Sequence, residues 1–481
     1  MGSFMAALRP LKVLFALLCA IWLTACGGAT LMNAADEARI GAEQHPLIVQ
    51  EFGGVYDDPK ITAYVERVLA NITATLEGSS HSYRITVLDS PIVNAFALPG
   101  GYTYVTRGLL ALANSEAELA GVIGHEIAHV TARHGARRHT AEVGKTIVAG
   151  VLATIVNMTT GVSSQMAGEV LNAGGGLLLA GYSRENEFEA DNLGIKALAA
   201  AGYDPSAQAD FLAALGAYAK YQSGGKAQKT SWFASHPNNT ERVARARATA
   251  KAQKIASGSI RQGERHMMAV QGLAFGDGPK QGVVVGQRFS HADLGLAFEV
   301  PRGFSLRNGK QSVRAKHANG VRIIFDLDER IANEPLADYM AGSWAAGAPL
   351  GLIRPLKIDG RQAVEGEIET ESGIALLLAL DHGDTHIMRF GVIAPTAHIA
   401  AARQAMRSLK RRIDFLTTAQ VAAIKPLRLD VIRLQDGDTL YSIARRMAVP
   451  VEERLPLLRV LNQLDDDAVL YSGQPLKLVV R

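Results

Sequence analysis

Cysteine is almost missing from this 481-residue chain: there are two, Cys19 and Cys26, both within the first 26 residues. The body of the protein therefore has no disulfide framework and no thiolate zinc site available, and any metal must be held by His and carboxylate side chains. Long apolar runs are missing too. Val13–Leu23, Ile147–Met158 and the run through Gly174-Gly175-Gly176-Leu177-Leu178-Leu179 each fall short of the roughly 18–20 residues of a spanning helix. Nor is charge of one sign in excess. The net charge is +4, and the first 25 residues carry Arg9 and Lys12 and no acid, so the remainder stays near +2. With no basic stripe interleaved with aromatics, nucleic acid is excluded as a partner class. Disorder is excluded by composition, since 48% of residues are apolar and 20% charged. The length calls for two to four domains.

What is present begins with an address. Arg9 and Lys12 precede the short apolar run, and Leu23-Thr24-Ala25-Cys26-Gly27 follows it. This is the layout of a secretory signal, residues 1–25, and its end resembles the bacterial lipobox, in which cleavage leaves an acylated N-terminal cysteine. Two or three acyl chains on Cys26 suffice for stable membrane attachment, where one would be marginal. With Gly27 after the cysteine and no Asp retention signal, the resemblance implies the periplasmic face of the outer membrane.

The stretch with most chemistry is Gly124-His125-Glu126-Ile127-Ala128-His129-Val130 in an apolar, helix-forming context. On a helix His125 and His129 point from one face toward one metal ion. Glu126, about 100° round the axis, flanks that ion without ligating it, as suits a carboxylate that takes a proton from activated water. Ser115 with Glu118 three residues on reads as a capping box opening this helix. His134, five residues past His129, falls off the ligand face and reads as structural. Upstream, Asn94-Ala95-Phe96-Ala97-Leu98 and Tyr102–Thr106 read as two short strands around Pro99-Gly100-Gly101. The first is a candidate sheet edge on which an extended peptide could be held by strand addition. Downstream, Glu187 and Asp191 lie one helical turn apart. A carboxylate from a second helix would complete a two-histidine zinc site and leave a place for water, and Asp191 could accept the free ring N–H of a histidine ligand.

The three segments, Asn94-Ala95-Phe96 with Pro99-Gly100-Gly101, then His125-Glu126-Ile127-Ala128-His129, then Glu187-Phe188-Glu189-Ala190-Asp191, together resemble the zinc metallopeptidase family typified by the HtpX heat-shock protease and the CAAX prenyl protease. The absence of spanning helices points to its secreted branch. The resemblance implies one zinc ion held by His125, His129 and Glu187, with Glu126 as general base. His236, in Ser235-His236-Pro237, matches His-Pro segments near the zinc of that family. Three roles are open for it: oxyanion donor, additional zinc ligand, or structural residue.

The C-terminal half carries no catalytic constellation. Val321–Phe325 and Ile374–Leu378 read as strands and Ala400–Leu409 as a helix, the makings of a small α+β domain, with His382 and His386 in a turn. Asp436–Ala444, Leu461-Asn462 and Ser472–Leu478 resemble a LysM module, a βααβ unit that binds N-acetylglucosamine-containing glycans.

The expected fold class is α+β. A mainly helical zincin-type (gluzincin) metalloprotease domain with a small edge sheet (26–258) is followed by a small α+β domain of unknown role (259–415) and a LysM-like βααβ module (428–481). The expected function is that of a periplasmic, lipid-anchored zinc endopeptidase acting on misfolded or misassembled envelope proteins, with peptidoglycan a further partner through the module. The rival reading is a peptidoglycan-associated binding lipoprotein or chaperone with a latent zinc site. A peptidoglycan hydrolase is a third.

Overall fold

The computed structural model describes residues 32–76, 82–138, 140, 181–223, 236, 240–253, 259–309, 312–331, 334–383 and 385–481. The signal segment, Cys26 and the apolar runs at Ile147–Met158 and 174–179 lie outside the described residues. Among the described residues no helix is long and apolar enough to cross a membrane. The chain divides into two compact units, one of Met1–Leu273 with Leu429–Ser442 and Leu455–Leu478, the other of Ala274–Arg428 with Ile443–Arg454 and Val479–Arg481.

Among the described residues the first unit begins with two helices, α1 (Ala34–Glu51) and α2 (Pro59–Thr73). In α2 the side chain of Asp58 caps the backbone N–H groups of Lys60 and Ile61, and Pro59 takes the first-turn position where its missing N–H costs nothing. Tyr64, Val65, Val68, Leu69 and Ile72 recur at helical spacing and are all buried. Each such side chain contributes roughly 1.5–3 kcal/mol by leaving water.

Next comes a three-stranded sheet of β1 (Arg84–Leu88), β2 (Ala95–Leu98) and β3 (Tyr102–Thr106), in the order β1-β3-β2. β2 and β3 are an antiparallel hairpin, β1 runs parallel to β3, and β2 is the edge. The hairpin turns at Gly100 and Gly101, at φ +81° and +85°, a region that a side chain disfavours. α3 (Arg107–Leu112) and α4 (Glu116–Thr131) follow, then α5 (Arg184–Ala200), α6 (Ala207–Gln222), α7 (Thr240–Ala252) and α8 (Gly263–Val270).

α4 is the centre of the unit, and every residue from Glu116 to Val130 is buried. It is not a surface helix with one wet face. The expected capping box forms in altered form: Ser115 Oγ accepts from the Glu118 N–H at 3.2 Å, but the Glu118 carboxylate reaches one residue further, to the Asn114 N–H at 2.9 Å.

The second unit is built on a seven-stranded antiparallel sheet of β4 (Phe304–Asn308), β5 (Val313–His317), β6 (Arg322–Glu329), β7 (Arg354–Ile358), β8 (Arg361–Thr370), β9 (Gly373–His382) and β10 (His386–Pro395). Its order is β7-β8-β9-β10-β6-β5-β4. A four-stranded sheet (Val283–Val285, Arg288–His291, Leu296–Glu299, Ile413–Phe415) and α9 (Ile399–Lys410) share its main core. The expectation that His382 and His386 lie in a turn is corrected: they belong to β9 and β10. They face each other as the last pair of the β9–β10 ladder, because cross-strand pairing continues to the residues flanking Gly383. The C-terminal module has the expected βααβ order: β11 (Leu427–Arg433), α10 (Leu440–Ala444), α11 (Val451–Leu461) and β12 (Pro475–Val480), with β11 and β12 neighbours in one sheet.

Candidate metal centre

The site forms where α4 and α5 cross with almost no side chain between them. A Cβ on Gly194 would lie 2.9 Å from the backbone nitrogen of His125, and one on Gly124 would lie 3.3 Å from the carbonyl oxygen of Gly194. This close approach sets Glu187 and Asp191 of α5 beside the histidines of α4.

Four buried side chains then converge: His125, His129, Glu187 and His236 offer ligand atoms that all lie within 4.8 Å of one another. His125 Nε2 is 3.0 Å from His129 Nε2, 3.4 Å from His236 Nδ1 and 3.5 Å from Glu187 Oε2. Glu187 Oε1 is 3.5 Å from His129 Nε2 and 3.0 Å from His236 Nδ1. A tetrahedron of donors about 2.05 Å from zinc has edges of about 3.3 Å, so these separations fit that ion. The donor chemistry agrees, because imidazole nitrogens and a carboxylate facing one another at this range need a cation or a shared proton between them.

The charge balance shows the same demand. Burial lowers the pKa of His125, but Asp191 and Glu187 outweigh it and raise it to about 9. Burial, together with the charge of His125, holds His129 well below its ordinary value. Burial would raise Glu187, yet its histidine partners pull it well below the usual carboxylate range. The carboxylates thus favour positive charge at this spot, the place a metal would take.

Glu126 is different in kind. It is buried, and among the described residues neither of its carboxylate oxygens has a hydrogen-bond partner. His236 Nε2 lies 3.5 Å from its Oε1. Burial pushes its pKa up. An unpaired buried carboxylate beside a donor cluster is costly, and it is suited to receiving a proton.

Asp191 Oδ1 lies 2.9 Å from His125 Nδ1, on the side of the ring away from the cluster. Asp191 is in turn held by Arg242, whose Nε donates to Oδ2 at 2.8 Å, and by the Gln208 amide at 2.9 Å. Arg242 also reaches Glu187 Oε2 at 2.6 Å. It is fully buried and ties both carboxylates of α5 to α7. Sequence reading passed over it, and its only signal was a place shortly after His236. Tyr182, also passed over, stacks on His129 with ring centroids 3.9 Å apart and planes 20° apart. Asn94, Ala95 and Phe96 lie at the start of the edge strand β2, all buried, and β2 packs against α4.

A group of hydrogen bonds joins the module to the start of the active helix. Lys477, fully buried, donates from Nζ to the carbonyls of Ala111 at 2.6 Å and Ala113 at 2.7 Å, at the end of α3. Gln463 donates to Glu118 at 2.8 Å, and Asn114 donates to the Leu461 carbonyl at 3.1 Å. Burial pushes Lys477 down to about 7, opposed by Glu118.

Comparison with known proteins agrees with this geometry. The profile of peptidase family M48 matches residues 57–250, and that of the LysM domain matches residues 432–479. Mitochondrial metalloendopeptidase OMA1 of Schizosaccharomyces pombe is 31% identical over 210 residues, 43% of this chain and 59% of that one. The beta-barrel assembly-enhancing protease of Yersinia pestis is 30% identical over 205 residues, 41% of this chain and 40% of that one. Metalloprotease YcaL of Escherichia coli strain K12 is 30% identical over 200 residues, 41% of this chain and 70% of YcaL. The chain belongs to peptidase family M48.

Within this M48 chain the matched segment holds the whole donor cluster together with Glu126, Asp191 and Arg242. The chain spans about half the length of OMA1 and of the assembly-enhancing protease. The likeness is to the OMA1, assembly-enhancing and YcaL kinds of the family. The HtpX and prenyl-protease likeness expected from the motifs receives no support from these relatives.

Proposed function

We propose that this M48 protein is a zinc-dependent endopeptidase of the bacterial envelope that hydrolyses peptide bonds in misfolded or misassembled envelope proteins. One observation supports the chemistry above the rest: Glu126 is buried, has no hydrogen-bond partner among the described residues and sits next to four converging metal donors. Zinc held by His125, His129 and Glu187 would supply Lewis acidity at the scissile carbonyl and acidify a water. The chain's own part is then divided. Glu126 takes the proton and delivers it to the leaving amine. The edge strand β2 offers backbone groups to an extended peptide near Asn94, Ala95 and Phe96, and Asp191 keeps the His125 ring oriented.

Of the roles open to His236, the fourth donor of a resting site is favoured, since its Nδ1 faces Glu187 and His125 rather than open space. His236→Ala separates the roles. Raised hydrolysis marks a ligand that holds the enzyme latent, and loss marks an oxyanion donor.

The envelope setting rests on the lipobox-like residues around Cys26, on the likeness to a beta-barrel assembly-enhancing protease, and on the LysM match. In the module Tyr441, Val469 and Tyr471 are exposed, which suits apolar contact with sugar rings. The membrane is engaged through lipidated Cys26 and peptidoglycan through the module.

The deciding experiment compares the wild-type protein with Glu126→Gln for bound zinc and for casein cleavage. The variant is expected to keep zinc and lose cleavage by about 10²–10⁴-fold. Full cleavage by the variant would remove the mechanism. Sacculus binding with no cleavage by the wild-type protein would favour the rival reading, a binding lipoprotein with a latent site.

A further inference from the structure

We propose that His134 is a positioning residue for His129, carrying the hydrogen bond of that ring through to the carboxylate of Glu189. The inference rests on the reading of His129 as a metal ligand and adds to it the partner that holds the ligand's ring.

The geometry begins with a break in the helix. α4 ends at Thr131, and Arg133 takes φ +53°, a left-handed conformation unusual for a residue with a side chain. Helical structure resumes at 134–138. On an unbroken helix a residue five positions on would sit about 140° round the axis from His129, facing elsewhere. The break instead swings His134 back behind the ligand. Its Nδ1 lies 2.9 Å from His129 Nδ1, and the rings meet nearly edge-on at 72°. The unusual turn is held from outside. Arg133 Nε donates to buried Glu37 at 3.0 Å, and its Nη2 donates to the Met32 carbonyl at 2.5 Å.

Proton placement then follows by elimination. His129 turns Nε2 into the donor cluster, so as a ligand it must carry its ring proton on Nδ1. Nδ1–H points at His134 Nδ1, which must accept and therefore carries its own proton on Nε2. That nitrogen lies 3.0 Å from Glu189 Oε2. Every donor in the chain meets an acceptor and the direction is unique. Arg137, on the resumed turn, holds Glu189 at 3.4 Å. His134 is fully buried, which shields its contact with His129 from solvent.

The two ligand histidines of α4 are thus supported differently. His125 leans directly on Asp191, which Arg242 and Gln208 hold from below. His129 leans on a neutral imidazole, and the carboxylate at the end of that line is 44% exposed. Partners of this kind fix the tautomer and ring orientation of a metal ligand, and their loss typically weakens metal binding about 10–100-fold.

The test is zinc affinity of the full chain by chelator competition, together with the visible spectrum of the cobalt-substituted protein. The proteins compared are wild type, His134→Leu, His134→Gln, Glu189→Lys and His129→Ala. His134→Leu is expected to weaken zinc about 10–100-fold and to shift the cobalt bands. His134→Gln, which can still accept from His129 and donate to Glu189, is expected to recover most of the loss, and Glu189→Lys to show a few-fold loss. His134→Leu that folds and binds zinc as wild type does would overturn the proposal. So would His134→Gln as damaging as His134→Leu, because that pattern marks packing alone. If His134→Leu does not fold, wild-type affinity in Glu189→Lys overturns the relay. The underlying ligand assignment fails separately, in His129→Ala that binds zinc unchanged.

Discussion

The two compact units place their charges in opposite ways. In the first, Glu126, Glu187, Asp191 and Arg242 sit together in the interior with His125, His129, His134 and His236. In the second, the core is apolar and aromatic. Phe298 lies 5.3 Å from Phe325 and 5.2 Å from Phe390 between ring centroids, while Arg389, Asp326 and Asp328 pair at its partly exposed surface. The first arrangement is expensive, because each buried charge must be matched. The second is the ordinary solution to making a stable domain. Where a chain carries so many charges inside, chemistry is the reason to look for.

This contrast can be broken most sharply at Arg242. Arg242→Met leaves Glu187 and Asp191 buried without their cation, and is expected to cost about 3–5 kcal/mol in the metal-free protein. Denaturant unfolding with and without zinc measures it, with part of the loss regained when zinc supplies the missing charge. Equal stability to wild type without metal would mean that the cluster is not held by charge pairing.

The matching experiment in the second unit is Phe390→Ala, a fully buried ring removed from an apolar core. A cost of about 3–4 kcal/mol is expected from lost burial and the cavity left behind. Zinc affinity should stay within twofold of wild type. A large change in zinc affinity would show that the metal site depends on the second core.

A smaller effect separates the units by pH. Burial pushes Asp191 up, but Arg242 and His125 outweigh it and hold its pKa at about 2 against an ordinary 3.8. The folded-state value is the lower one, so its stabilising contribution is present above pH 3.8 and is lost as pH falls through 2. The difference corresponds to about 2 kcal/mol. In metal-free protein, amide exchange should show α4 and α5 loosening across that window before β9 and β10 do. Simultaneous loosening would count against the assignment.

Much of the site was legible because it is local. His125, Glu126 and His129 are one helical turn of sequence, and Glu187 and Asp191 are another, so spacing alone places each set on a face. The edge strand was legible from Pro99-Gly100-Gly101, whose two glycines accept the left-handed turn. In the second unit the strands at Val321–Phe325 and Ile374–Leu378 and the helix at Ala400–Leu409 were legible from their apolar runs, and the other strands of its two sheets were not. His134 was read correctly as no metal ligand, but its place behind His129 was not legible: the position was reckoned along an unbroken helix, and the left-handed turn at Arg133, held by Glu37 and the Met32 carbonyl, has no signal in the residue itself. Arg242 carried no signal, since its partners lie on another helix and its burial is a property of the packing.

By itself, then, the sequence determined the elements and the donor types. With both cysteines in the first 26 residues, a metal in the body of the chain had to go to His and carboxylate, and helical period grouped them in pairs. Tertiary structure alone decided that the pairs meet. Gly124 and Gly194 let two helices touch backbone to backbone, Arg242 neutralises what that contact brings together, and Lys477 joins the far end of the chain to the start of the active helix. Such contacts depend on distance across the fold, and the order of residues along a chain does not encode that distance in any single motif.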